Sequence, residues 1–313
     1  MRGKMSIVYY HRKSRELMTE RVYASGFLSW AYNARLGRLA TDLLFRQKFI
    51  SQLYGWFHKK PFSRWRIKPF VKKMGINNNE SIFSLEHFAT FNDFFIRQID
   101  PKKRPICNDP DVCIAPVDGK VLAYPIVEPD STFRIKRSRF NLREFLCDDV
   151  LGEKFAGGSM IISRLCLADY HHFHFPDSGI PGKAKSIQGK YYAGGPYALR
   201  TLIPFYSENH RMLTLFDSDH FGQMAMVEIG AFTVGSIRQT YQADARASKG
   251  SRKGFFELGG STVVLLFQKK AIELDEDLCE NTKNDLETYV RLGDSTGRRC
   301  GSFSKRKIQK EEK

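Results

Sequence analysis

The sequence predicts an α+β protein: an N-terminal helical region followed by a β-rich domain. Three observations predict it. Residues 26–75 place Leu36, Leu39, Ala40, Leu43 and Leu44 at helical spacing, with Arg35, Arg38, Asp42 and Arg46 between them. From about residue 108 the texture changes to short β-branched runs separated by glycine and proline turns. Near the end of that domain, Val263–Phe267 is an uncharged apolar run that reads as a buried strand.

Taken in order, residues 5–24 read as a short hairpin or a strand leading into a helix. The helical segment follows, and all three tryptophans, Trp30, Trp56 and Trp65, lie in it. "CIAPVDGKVLAYPIVEP" then gives a Val-Asp-Gly turn and an apolar run ended by proline. "GQMAMVEIGAFTVGSIRQTYQ" carries Gly230 and Gly235 among β-branched residues, as in a bent or bulged strand. The tail from Gly297 is charged and poor in apolar residues, which predicts disorder. The expected division is thus 1–107, helical and basic; 108–296, β-rich; and 297–313, a tail.

Composition narrows the function classes. The chain has 313 residues, 42% hydrophobic and 27% charged, enough for a real core. Six cysteines without metal or disulfide spacing read as reduced thiols. No apolar run reaches the ~18 residues of a membrane span, and the charged N-terminus is unlike a signal peptide. The formal net charge is +16, and between Arg21 and Asn79 there are twelve Lys or Arg against one acid, Asp42. Such a segment, rich in aromatic residues, suits an anionic membrane surface. It equally suits a helical subdomain with an ordinary solvated face. No nucleic-acid-binding motif accompanies the charge, so no nucleic-acid partner is expected.

Three short stretches could carry chemistry. "DYHHFHFPDSG" holds three of the eight histidines, His171, His172 and His174. A zinc site lacks its usual spacing here, so no metal is expected, and acid–base work fits imidazole. Asp118 in "APVDGKV" is an ordinary turn former unless it orients a histidine. "FFELGGSTVVLLFQ" sets two glycines and Ser261 directly against the buried strand. A plain turn is one reading. The other is that the Ser261 hydroxyl attacks the carbonyl of Gly260, where no Cβ obstructs the approach. The ester so formed can eliminate and hydrolyse, breaking the chain and leaving a pyruvoyl ketone at the new N-terminus.

With these motifs in order, the chain resembles the pyruvoyl-dependent phosphatidylserine decarboxylases in their longer form, from about Tyr9 to Gln268. The resemblance rests on "FNDFFIRQIDPKKRP", "APVDGKV", "DYHHFHFPDSG", "NHR", "VGSI" and "FELGGSTVVLLF". It implies a self-cleavage triad in which His174 is general base on Ser261 and Asp118 orients the imidazole. It implies cutting between Gly260 and Ser261 into a β chain of residues 1–260 and an α chain of 261–313, and a role for His171 in decarboxylation. The cofactor would be a pyruvoyl group made from Ser261. The reaction would turn phosphatidylserine into phosphatidylethanolamine through a Schiff base on that ketone. The family often has arginine where His172 stands and another residue at His210, positions outside the triad.

The enzyme is therefore expected at the cell membrane, peripheral, on the cytoplasmic side, with anionic phospholipid as partner; a homo-oligomer is compatible with this. The rivals are a pyruvoyl decarboxylase of another aminophospholipid, a non-catalytic basic lipid-binding protein and, third, a zinc hydrolase.

Overall fold

A computed structural model describes residues 7–21, 53, 55–128, 141–190, 205–230, 237–258 and 261–301. The first strands, β1 (Val8–His11) and β2 (Glu16–Thr19), form a hairpin. The middle of the chain supplies β3 (Val112–Ile114), β4 (Gly119–Val127), β5 (Gly158–Leu165), β6 (His172–His174), β7 (Gly179–Pro181) and β8 (Lys185–Ile187). Then come β9 (Arg211–Ser218), β10 (Gly222–Gly230), β11 (Ile237–Gln239) and β12 (Arg252–Phe256). The last four are β13 (Ser261–Phe267), β14 (Ile272–Leu274), β15 (Glu287–Val290) and β16 (Ser295–Arg299). Short helices lie between, so the fold is α+β and β-rich, as the sequence predicts.

One ten-stranded sheet dominates, in the order β2-β1-β15-β4-β5-β13-β10-β9-β7, with β8 also paired to β9. Pairing is antiparallel except between β1 and β15. β13 sits between β5 and β10 with every residue buried, which is why its sequence lacks the polar alternation of a half-exposed strand. A three-stranded sheet, β11-β12-β6, contributes Phe173 and Phe256 to the same buried cluster as β13. A second small sheet joins β14, β16 and β3.

A separate apolar cluster ties the N-terminal region to the far end of the domain. Helix Ile67–Met74 buries Ile67, Phe70 and Met74 on one face and carries Lys68, Lys72 and Lys73 on the other. It stops at Gly75, whose left-handed φ of 68° a residue with a Cβ resists. Helix Phe91–Phe95 starts at a reciprocal Thr90–Asp93 capping box. The two helices bury Phe70, Phe91, Phe94 and Phe95 together with Leu258, the residue before the double glycine.

The expected N-terminal hairpin is β1–β2, and it belongs to the main sheet through the β1–β15 pairing. One expectation changes. The tail begins later than Gly297, because β16 carries the chain in register with β3 and β14 through Arg299. Thr296 and Gly297 are buried there by neighbours in the sheet, a burial that local composition does not announce. Residues 302–313 lie outside the described residues, as do 22–52 with Trp30, Leu36, Leu39, Ala40, Leu43, Leu44, Arg35, Arg38, Asp42 and Arg46.

Candidate active site

Ser261 is the first residue of β13, with Leu165 of β5 opposite on one side and Gly230 of β10 on the other. Its exposure is 0%. A hydroxyl held in the middle of a ten-stranded sheet has little freedom and no bulk water. Gly259 and Gly260, the expected cleavage partner, lie outside the described residues. The lead-in is fixed from both directions: Leu258 N donates to Asn92 Oδ1 at 3.4 Å, and β12 is held in the covering sheet.

The three histidines diverge, and the period of the strand explains it. β6 begins at His172, so His172 and His174 share one face while Phe173 takes the other. His171, one residue earlier, extends the ladder with its carbonyl accepting from Phe256 N at 2.9 Å. Its Nδ1 shares a hydrogen bond of 3.2 Å with Ser261 Oγ, and the ring stacks on Phe95 at 3.9 Å. His172 Nε2 meets the Ile96 carbonyl at 2.8 Å. His174 Nδ1 meets the Gly250 carbonyl at 2.9 Å, and its Nε2 lies 3.4 Å from Tyr170 Oη. Among the described residues no group of His, Cys, Asp or Glu is arranged to hold a metal ion.

Asp118 is buried in the turn before β4, as the sequence suggests, but its carboxylate is taken by other partners. Arg104 donates to it from Nε at 2.9 Å and Nη2 at 2.5 Å, and Leu292 N donates at 2.8 Å. Arg104 also reaches Glu80 at 2.8 Å, which in turn accepts from Arg291 at 2.8 Å. Among the described residues no hydrogen bond joins His174 to Ser261 or to Asp118. The turn does hold β6, since His174 N donates to Pro116 O at 2.9 Å. The structure thus brings His171 to Ser261, and places His174 and Asp118 nearby with separate partners.

Burial sets the protonation of these rings. Desolvation pushes His171 well below the usual imidazole range, helped by the charge of Arg97. Desolvation takes His172 down to about 4. It takes His174 to about 4 as well, the Gly250 carbonyl and Asp118 pulling the other way. All three are neutral at pH 7, the state in which an imidazole can accept a proton. Among the described residues, three buried polar atoms on the histidine segment and β13 have no hydrogen-bond partner: His171 Nε2, His172 Nδ1 and Thr262 Oγ1. A ketone formed from Ser261 would stand against the His171 ring, whose Nε2 is unused, so the residues present fit a pyruvoyl group.

Two cavities lie beside the other site residues, one at His174 and one at Asp118. One, of about 410 Å³, is lined by His174, Tyr170, Arg252, Gly250 and Arg104. The other, of about 500 Å³, is lined by Tyr9, Arg97, Lys120, Asp169, Tyr170 and Tyr289 among others. Lys120 is buried over the rings of Tyr9 and Tyr289, at 4.8 and 5.1 Å, with its Nζ 3.7 Å from Asp169. Burial alone would discharge Lys120, but Asp169, Cys166 and Glu20 outweigh it and hold its pKa above the usual lysine value. Sequence reasoning singled out neither Lys120 nor Tyr170, Arg97 or Arg104. All four sit inside quoted motifs, one or two residues from the chemistry-bearing positions or in the "FNDFFIRQIDPKKRP" stretch. For Arg97 and Lys120 the available signal was a basic residue next to an apolar run.

Comparison with known proteins bears on the family of the chain. The family model described as phosphatidylserine decarboxylase matches residues 91–298. Among similar proteins is a phosphatidylserine decarboxylase proenzyme of Chlamydia caviae, 42% identical over 93% of this chain and 97% of its own length. Proteins of the same description from Fusobacterium nucleatum and Clostridium perfringens are 40% and 38% identical, each over 93% of this chain and 97% and 99% of their own. With a family match over residues 91–298 and relatives aligned over nearly their whole length, the chain belongs to the phosphatidylserine decarboxylase family of carboxy-lyases.

Proposed function

We propose that the protein decarboxylates phosphatidylserine to phosphatidylethanolamine, using a pyruvoyl group that it makes from Ser261 by breaking its own chain after Gly260. The observation that carries this is a fully buried Ser261 hydroxyl, directly after a double glycine, 3.2 Å from a neutral imidazole. In self-cleavage the Ser261 Oγ bonds to the Gly260 carbonyl carbon as the amide C–N bond breaks. The Oγ proton passes to an imidazole and the freed nitrogen takes a proton. Elimination of the ester and hydrolysis with loss of ammonia then leave the ketone. That ketone supplies a site that captures an amine and accepts the electron pair as CO2 departs.

In the described geometry His171 is the ring placed to take the hydroxyl proton, and it stays at the new N-terminus for later proton work. A second reading gives the hydroxyl proton to His174 with Asp118 behind it. The influence of Asp118 on His174 favours that reading, which requires His174 to exchange Gly250 and Tyr170 for Ser261.

The test is a denaturing gel. Unaltered protein of 36.1 kDa should run as pieces of roughly 30 and 6 kDa, in proportion to chain length. Ser261→Ala should remain one chain and release no CO2; a split Ser261→Ala protein would remove the proposal. His171→Ala and His174→Ala on the same gel assign the base. The one that stays whole carries the cleavage, and one that is cut but inactive serves decarboxylation. CO2 release from several aminophospholipids separates phosphatidylserine from other head groups.

We further propose that the protein works as a peripheral protein on the cytoplasmic face of the membrane. No helix among the described residues is long and apolar enough to span a bilayer. The region 53–83 exposes Trp56, Phe62, Trp65 and Phe83 beside Lys60, Arg64 and Lys72, and Trp65 is 69% exposed. Aromatic side chains inserted at the interface and cations on lipid phosphates suit that composition.

A further inference from the structure

Three buried cations, Arg97, Arg104 and Lys120, line the cavity of about 500 Å³. Two have their charge answered by carboxylates: Arg104 by Asp118 and Glu80, Lys120 by Asp169. Arg97 differs. Its Nη2 donates to the carbonyls of Ala168 at 2.8 Å and Asp169 at 3.4 Å, and its guanidinium lies 4.9 Å from the Phe94 ring. Among the described residues its Nη1 has no partner, although Arg97 is only 6% exposed. Arg97 is therefore a desolvated cation held by backbone dipoles, with one donor unused.

Its placement relates it to the chemistry. The segment Phe95–Arg97 is laced to the segment Ala168–His172 by the Phe95–His171 stack, the Ile96–His172 bond and the Arg97–Ala168 bond. His171, on that same loop, touches Ser261. Positive charge thus stands behind the histidine that meets the reacting residue.

We propose that Arg97 receives the phosphodiester of the substrate and is the residue by which a phosphorylated head group is selected. This rests on the decarboxylase reading above. Asp169, Asp118 and Glu80 act on Arg97 from a distance, and an arriving anion gives the guanidinium a directly bonded charged partner. Of the two anionic groups on phosphatidylserine, the carboxylate loses its charge as CO2. A cation bound to it would stabilise the ground state more than the transition state and raise the barrier. The phosphodiester keeps its charge throughout. A cation there holds both states alike and fixes the head group while the amine reacts at residue 261. The cavity is within the size range of sites for small organic ligands.

The test is calorimetric binding to the mature full-length protein, with glycerophosphoethanolamine and the phosphate-free amine 2-methoxyethylamine as probes. The unaltered protein should favour the phosphodiester by about tenfold or more, the strength of one hydrogen bond to a charged group. Arg97→Gln should bring that preference close to one, and Arg97→Lys should leave part of it. An unaltered protein without the preference would overturn the proposal. So would an Arg97→Gln protein in which both probes weaken by the same factor, since that is the mark of a residue that only supports the loop. Failure of both variants to mature would assign Arg97 to holding residues 168–172 and overturn it likewise. CO2 release from phosphatidylserine by the unaltered protein is followed separately. Its absence, with the phosphodiester preference intact, would remove the decarboxylase reading and leave the anion site standing.

Discussion

His171, His172 and His174 lie within four residues and are buried as neutral rings, which makes acid a specific stress on this fold. Unfolded, each imidazole titrates near 6.5; folded, His172 and His174 do so near 4 and His171 well below its usual range. Above 6.5 neither state binds the proton and the native contribution is whole. Between 6.5 and 4 only the unfolded state takes protons, so stability falls with falling pH. Folding stability should therefore fall over that window by on the order of a few kcal/mol in all, read out as a steep drop in melting temperature. His172→Gln should flatten part of the slope; an unchanged slope would show that this ring does not contribute. Arg164 makes a second residue-scale prediction. It is buried on β5 between Glu20 and Glu287, donating to each at 2.7 Å. Burial pushes the Glu20 carboxyl up, and Arg164 outweighs it to bring the group down to about 2. Arg164→Met would take the buried cation from both carboxylates and should cost about 3–5 kcal/mol in chemical denaturation. What the sequence disclosed at this scale was identity, not pairing. Ser261, Asp118 and the histidines were named by motif, while which histidine meets Ser261 depends on where β6 begins, a one-residue question that motifs do not answer.

The covering sheet β11-β12-β6 is the element that positions His171, and its fit depends on close backbone approach. A Cβ on Gly254 would stand 2.1 Å from Arg238 O and 2.6 Å from the Phe173 ring. Gly254→Ala should thus push β12 off both neighbours and slow self-cleavage well below that of the unaltered protein on a timed denaturing gel, even where the fold survives. A fully buried ion pair, Lys253 with Glu228 at 3.0 Å, joins β12 to β10 of the main sheet. Element legibility followed apolar density. The run Val263–Phe267 is the core of β13, and the expected hairpin at the N-terminus is β1–β2. β15 and β16 escaped notice because "ETYV" and "STGRR" lack an apolar run; they are strands because partners on both sides supply the ladder. The exposed aromatic element leads to its own test. Trp56→Ala with Trp65→Ala should remove vesicle binding that persists at high salt, whereas the lysines of helix Ile67–Met74 contribute the salt-sensitive part. Unaltered binding in both variants would remove this face from the docking surface.

Across the whole molecule, residues distant in sequence share one sheet. β1 pairs with β15 in the order Tyr9–Glu287, Tyr10–Thr288, His11–Tyr289, a separation that no local pattern reveals. Cutting after Gly260 would leave β13 and β15 flanked on both sides by strands of the larger piece, β5 and β10 for the one and β1 and β4 for the other, and β16 paired to β3 of that piece on one side. The two pieces should elute together from a sizing column without denaturant and separate only when unfolded. Elution of a free small fragment under native conditions would contradict this topology.

The place of β13 in the middle of the sheet also bears on timing. As the chain is made, β5 and β10 emerge before residues 261–267 exist to fill the gap between them. The Ser261 hydroxyl meets its buried setting only after that gap closes, and β15 and β16 emerge later still. Folding of this long-range kind is slow relative to local structure. On the self-cleavage reading, a nascent chain would thereby be guarded against severing itself: the bond after Gly260 would become reactive only in a molecule already assembled to survive the break.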